Sequence, residues 1–302
     1  MIDSALAGGV SARAHGRTLR LLVAAARPRQ WTKNLVLVAA LVFAGRLGDA
    51  DSWGKAATAV AAFSLASSAA YLLNDLRDAE ADRRHPTKRE RPLASGALSP
   101  RAGLALCAGL AAAAVAAAAA LGPHLLLFLG SFLAGQLAYT LGLKRVVGLD
   151  VATIAALFVV RAAAGAAAVQ VRISPWLLAC TALLALFLAM AKRRAELVLV
   201  HAEATPGRAV LASYSLRVLD RLLDLAAAAT VLAYAAYAFT ARDSAELATT
   251  LPFVVVALLR YRFLVRRRGA GEEPDHLLLT DVPILVSVCA WVLSAALVLT
   301  LS

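Results

Sequence analysis

YLLNDLRDAEADRRHPTKRERPLASG (residues 71–96) changes character within a few positions. An apolar run rich in Ala, Leu and Ser ends at Leu73, and five acidic side chains and six arginines or lysines crowd into residues 75–91. The surroundings of this boundary are set by the composition of the whole chain. Of its 302 residues 61% are hydrophobic, and the mean hydropathy is +0.73; soluble domains hold roughly 45–50% apolar residues. The chain therefore reads as a membrane protein. Apolar stretches near 34–48, 56–74, 103–121, 124–142, 146–170, 174–191, 222–240, 247–265 and 282–301 mostly approach the roughly 20 residues that carry a helix across a bilayer. The expected fold is all-α, a polytopic bundle of about nine transmembrane helices.

The basic residues test that count independently, because cytoplasmic loops near spans collect Lys and Arg. With loops alternating between sides, 26 of the 31 basic residues fall on one face, four (Arg46, Lys55, Arg172, Arg242) on the other, and Arg161 inside a span. This predicts nine spans in the plasma or inner membrane, with the N-terminus and the charged stretch on the cytoplasmic side. Residues 1–30 read as a basic cytoplasmic segment with no removable signal peptide, and 31–302 as the transmembrane catalytic domain. The net charge of +12 reflects topology and contact with anionic lipid or substrate, with no nucleic-acid partner. Cys107, Cys180 and Cys289 stand singly within spans, without metal-ligand spacing.

On a helix, Asn74, Asp78 and Asp82 recur at intervals of four and share one stripe, which Asp75 borders. The helix is expected to stop at His85, since Pro86 cannot continue the ladder. Oxygen donors on one face suit a hard divalent cation. Mg2+ in particular takes one or two carboxylates together with substrate phosphates. Lys88, Arg89 and Arg91 come next as an anion clamp. The plain alternative is that the acids pair with Arg77, Arg83 and Arg84 at a solvated helix end.

NDLRDAEAD (74–82) and RPLASG (91–96) resemble the first aspartate-rich motif and the RPL element of the UbiA-type intramembrane prenyltransferase superfamily, whose members are bundles of nine transmembrane helices. RPRQWTKN (27–34), HPTKRERPLASG (85–96), QLAYTLGLK (136–144), VVRAAAGA (159–166) and KRRAEL (192–197) extend the resemblance to its phosphoribosyltransferase branch. That likeness implies Mg2+-dependent transfer of 5-phosphoribose from phosphoribosyl pyrophosphate (PRPP) to a polyprenyl (decaprenyl) phosphate, with release of pyrophosphate, on the route to envelope arabinan. It implies catalytic and metal roles for Asn74, Asp78 and Asp82. Lys33, Asp75, His85, Lys88, Arg89, Arg91, Tyr139, Lys144, Arg161, Lys192, Arg193 and Glu196 are the implied substrate contacts. The oligomeric state is open to a homo-oligomer.

The superfamily's aromatic prenyltransferases carry a second aspartate-rich motif after the sixth helix, where this chain has Lys192, Arg193 and Glu196. That exchange removes a metal site and adds cations, which favours a donor with an extra phosphate; positive-inside anchoring with a Lys192–Glu196 pair is the plain alternative. Arg161 is expected on a PRPP phosphate, because a cation inside a span costs at least about 2.5–3.5 kcal/mol unless paired or wet; pairing with an acid such as Asp150 is the structural alternative. Gly165, four residues on, allows a helix or a ligand to approach closely. An aromatic prenyltransferase and a transporter with Arg161 on an ion path remain as other readings.

Overall fold

The structure is a computed structural model describing residues 19–84, 87–203, 209–240, 245–269, 271 and 274–301. His85, Glu272 and Glu273 lie outside these, as does the side chain of Asp275. The described residues form helices without a strand. In chain order they are α1 (Val36–Phe43), α2 (Ala50–Arg83), α3 (Pro100–Leu121), α4 (Pro123–Leu141), α5 (Leu149–Ala168), α6 (Pro175–Glu203), α7 (Leu216–Thr240), α8 (Leu251–Arg268), α9 (Pro274–Thr280) and α10 (Val282–Leu301).

Eight helices among the described residues are long and apolar enough to cross a membrane, and they match eight of the nine expected spans. The first span is composite. Residues 19–26 are helical, the backbone turns at Arg27, a 3-10 segment runs Pro28–Leu35, and α1 comes directly after it. At the rises of the two helix types these last two pieces reach roughly 28 Å, close to the ~30 Å hydrocarbon core. Arg27, with φ 53°, sits in the left-handed region, which is costly for a residue with a Cβ.

Caps set several boundaries. Asp49 accepts from the Asp51 amide to start α2, and Ser99 accepts from Ala102 to start α3 with Pro100 in its first turn. Gly122, at φ 110°, joins α3 to α4 in a bend that residues with a Cβ rarely adopt. Successive long helices are antiparallel neighbours, and the ring closes where α1 packs on both α5 and α10. Phe63, Phe132, Leu129 and Leu157 lie in one apolar cluster, and Phe187, Leu223, Tyr261 and Ile284 in another. α5 contributes to both. At Gly165, α5 approaches the backbone of α1 closely. A Cβ there would stand 2.1 Å from the Leu37 carbonyl oxygen, so this glycine admits a helix and not a ligand.

Alternation of the helices gathers the end of α2, the start of α3, the end of α4, the start of α5 and the end of α6 at one end of the bundle. Leu22 and Ala25 join Leu72, Leu93 and Leu98 in a small cluster there, which holds the end of the N-terminal basic segment against the spans. Large apolar side chains such as Leu127, Leu225 and Leu293 are exposed around the perimeter, as expected of surface that meets lipid tails.

Candidate active site

The acidic stripe is divided between two sets of cations. Lys144, just beyond α4, donates to Asn74 Oδ1 at 3.0 Å and to Asp78 Oδ2 at 2.7 Å. Asp82 instead takes Arg91 at 2.6 Å, and Asp75 takes Arg91 at 3.1 Å and Arg27 at 2.6 Å. Asn74 and Asp78 are thus brought together as expected, whereas Asp82 is turned to the guanidinium side. The physical reason is that Asp75 and Asp82 are buried and hold their charge only beside a fixed counter-charge. The partners are not those adjacent in sequence. Arg77 reaches the Leu141 carbonyl, Arg83 the Ala94 carbonyl, and Arg84 pairs with Glu80.

The RPL element explains how Arg91 arrives. The short 3-10 turn Lys88–Glu90 comes after α2, Leu93 and Ala94 are buried, and the Leu98 amide closes on the Pro92 carbonyl at 2.8 Å. This tight loop lays Arg91 back along α2. Lys88 is half-buried and Arg89 exposed on the same turn. Lys33 donates to the Gln30 side chain within the 3-10 segment. Above it the Ser68 hydroxyl binds the Ala26 carbonyl at 2.7 Å and accepts from the Trp31 indole at 3.0 Å, fixing the bend at Arg27.

Arg161 on α5 and Arg193 on α6, both expected on substrate, have protein partners in this structure. The Arg193 side chain is 1% exposed. It donates to Asp150 at 2.6 Å, to the Tyr139 hydroxyl at 3.1 Å and to Glu196. Asp150 also accepts from the Tyr214 hydroxyl at 2.6 Å, and that hydroxyl accepts from the Gly148 amide at 3.0 Å. Burial and the bond to Asp150 push the Tyr214 phenol up to about 12. Tyr139, Arg193 and Glu196 are therefore members of one buried network tying α4, α5 and α6 together. Lys192, the residue before Arg193, is half-buried. Arg194 faces elsewhere, onto Asp220 at 2.7 Å.

Arg161 is likewise structural in its contacts. It is 3% exposed and donates to Asn34 Oδ1 at 2.8 Å and to the Leu157 carbonyl at 3.2 Å. Its guanidinium lies 4.4 Å from the Phe132 ring centroid and 5.1 Å from that of Phe158. Neutral oxygen acceptors and ring faces surround its charge, and Asp150, the acid weighed as its partner, is taken by Arg193. Asn34 is anchored in turn through Ser64 at 3.0 Å.

The sequence did not single out Arg27, Arg20 or Tyr214. Arg27 belongs to the RPRQWTKN stretch, and only the turn at its own backbone brings it to Asp75. An apolar cavity of about 380 Å³ lies between the starts of α5 and α7 and the inner part of α6, with Gly148 and Tyr214 in its wall.

Asn74 and Asp78 already hold a positive charge on two oxygens. That donor chemistry fits a hard divalent cation. Among the described residues no group of three His, Cys, Asp or Glu side chains could hold a metal ion, so any ion here would draw on the Asn74 amide and on substrate oxygens.

Comparison with known proteins agrees with this architecture. The chain is 36% identical over 286 residues to the decaprenyl-phosphate phosphoribosyltransferase of Mycolicibacterium smegmatis, covering 90% of each chain. It is 38% identical over 279 residues to the enzyme of the same name from Mycobacterium tuberculosis, covering 90% of this chain and 91% of that one. In fold it is similar to a UbiA homolog from Archaeoglobus fulgidus bound to GPP and Mg2+, with a TM-score of 0.71, 20% identity, and coverage of 93% of this chain and 100% of that one. The model of the UbiA prenyltransferase family matches residues 34–279. The chain belongs to the UbiA prenyltransferase family.

Proposed function

We propose that this protein transfers 5-phosphoribose from PRPP to a polyprenyl phosphate of the decaprenyl type and releases pyrophosphate, supplying precursor for an arabinan-containing envelope. The 36–38% identity to enzymes named for that acceptor, over nine-tenths of the chain, supports the reading. The observation that carries it against an aromatic prenyltransferase is Arg193. Where a second aspartate pair would hold metal, a buried arginine engages both nearby acids, Asp150 and Glu196. Asn74 and Asp78, which hold the Lys144 ammonium, stand at this end of the bundle with arginines beside them.

Mg2+ held by Asn74 and Asp78 would neutralise the diphosphate of the donor as the bond at ribose C1 breaks. Lys144, which bonds the same two oxygens, would add its positive charge beside the leaving group. A phosphate oxygen of the lipid attacks C1 from the face opposite the diphosphate and forms the new C–O bond. The electron pair of the old bond departs with pyrophosphate. The nucleophile is already an anion at neutral pH, so the side chains orient the reactants and stabilise charge without abstracting a proton. The donor enters from the cytoplasmic side, where the N-terminus also lies by the basic-residue count. The apolar cavity beside Gly148 offers a place for part of the lipid tail.

The test is transfer by purified protein in detergent with Mg2+, offered labelled PRPP with decaprenyl phosphate or a labelled prenyl diphosphate with 4-hydroxybenzoate. Labelled lipid with the first pair is expected. Product only with the second pair would assign an aromatic prenyltransferase, and product with neither would reject both transfers.

A further inference from the structure

PRPP carries a phosphate at C5 as well as the diphosphate at C1. Of the cations that the sequence offered for this extra charge, Arg161 and Arg193 are buried and engaged, and Lys192 is half-buried. A different set is open. A cavity of about 670 Å³ lies between residues 19–30 and the RPL loop, lined by Arg20, Arg27, Arg29, Gln30 and Arg91, with Val23 among its apolar neighbours. Resting on the reading above, we infer that this cavity binds a phosphate monoester, the 5-phosphate of the sugar donor.

Three observations support the assignment. Four arginines face two carboxylates, Asp75 and Asp82, bonded to Arg27 and Arg91. The set therefore keeps an excess of two positive charges, matching the roughly −1.5 to −2 of a phosphate monoester near neutral pH. Arg27 holds an unfavourable backbone conformation, φ 53°, at the point where its side chain lines the cavity and grips Asp75. Such strain persists only where the surroundings impose it and gathers at ligand sites. Arg91 places the cavity beside the diphosphate end, because it also bonds Asp75, the neighbour of Asn74 on α2. The carboxylates hold Arg27 and Arg91 in fixed directions, while Arg20 and Arg29 are exposed to receive an anion. Planar guanidinium groups suit bidentate binding of phosphate oxygens.

The same chemistry would accept an anionic lipid headgroup, and the experiment separates the two sources. The variant Arg20→Gln/Arg29→Gln changes two exposed side chains and is assayed beside the unaltered protein, both as full chains in detergent. Expected are a rise in the PRPP KM of about tenfold or more, with the decaprenyl phosphate KM and the inhibition by pyrophosphate unchanged. Ribose 5-phosphate should raise the unfolding temperature of the unaltered protein and not of the variant. An unchanged PRPP KM, or equal weakening of ribose 5-phosphate and pyrophosphate, overturns the assignment. So does an unchanged PRPP KM joined to a lost response to phosphatidylglycerol vesicles, which would give the cavity to a headgroup. If the unaltered protein transfers nothing from PRPP, the proposed reaction fails, while protection by ribose 5-phosphate still reads the cavity directly.

Discussion

Lys144 donates to Asp78 at 2.7 Å across 66 positions of sequence and to Asn74 at 3.0 Å. On the proposed assignment of Mg2+ to Asn74 and Asp78, the lysine and the metal would compete for the same oxygens. Lys144→Met should lower the metal concentration giving half-maximal activity by about fivefold, the equivalent of a partly exposed ion pair of roughly 1 kcal/mol. Metal titrations of the variant beside the unaltered protein check this; a higher requirement would mean that Lys144 helps to recruit the metal.

Arg161 combines burial with neutral partners, so its replacement bears on folding before chemistry. Arg161→Gln leaves the Asn34 carbonyl oxygen and the two phenylalanine rings without the guanidinium, and should cost about 1–3 kcal/mol of stability. The PRPP KM of the folded fraction should change less than about twofold, since the residue is enclosed. Thermal unfolding and steady-state kinetics separate the two effects. A large KM rise at unchanged stability would return Arg161 to the substrate.

Asp150 and Arg193 are the most enclosed ion pair of the site, with side chains 0% and 1% exposed. Asp150→Ala removes one partner of a buried charge and should destabilise by about 3–5 kcal/mol. Asp150→Asn keeps an acceptor and should lose less. If both variants unfold like the unaltered protein, the network does not hold α4, α5 and α6 together.

Gly165→Ala puts a methyl group 2.1 Å from the Leu37 carbonyl oxygen. Separation of α1 from α5 should cost about 1–3 kcal/mol, read as a lowered unfolding temperature. The equivalent change at Gly109, where nothing lies within 4 Å, should be neutral or stabilising because alanine favours the helix.

Tyr214 should titrate late. Its folded pKa of about 12 exceeds the roughly 10 of an unfolded tyrosine, so the fold favours the protonated phenol. The stability it contributes is fully present below about pH 10 and is lost as pH rises through about 12. The difference in tyrosinate absorbance between the unaltered protein and Tyr214→Phe should show this titration; a midpoint near 10 would remove Tyr214 from the Asp150 network.

How far the sequence reached depends on how local the cause was. Span lengths and their boundaries at Pro100, Gly122 and Pro175 derive from hydropathy and from residues that start or break helices nearby. Eight of the nine expected crossings are uninterrupted helices for that reason. The first is a 3-10 segment running into a short α-helix, and the chain enters it through the turn at Arg27, whose side chain meets Asp75, 48 residues away, a contact invisible to any window of hydropathy. Among the candidate residues, Asn74 and Asp78 emerged together because four-residue spacing fixes one helix face.

Hydropathy and residue spacing along the chain were enough to establish a helical membrane protein with oxygen donors and cations gathered at one end. The acid that each cation meets was settled by the packing of the helices. A charged side chain in sequence announces its sign but not its solvation. Burial forces each enclosed charge to find a fixed partner, and those partners come from distant segments: Arg193 from α6 for Asp150 on α5, Asn34 for Arg161, Arg27 for Asp75. Arg161 and Arg193 thereby acquired partners within the protein, and the exposed Arg20 and Arg29 beside Arg91 were left facing the open cavity.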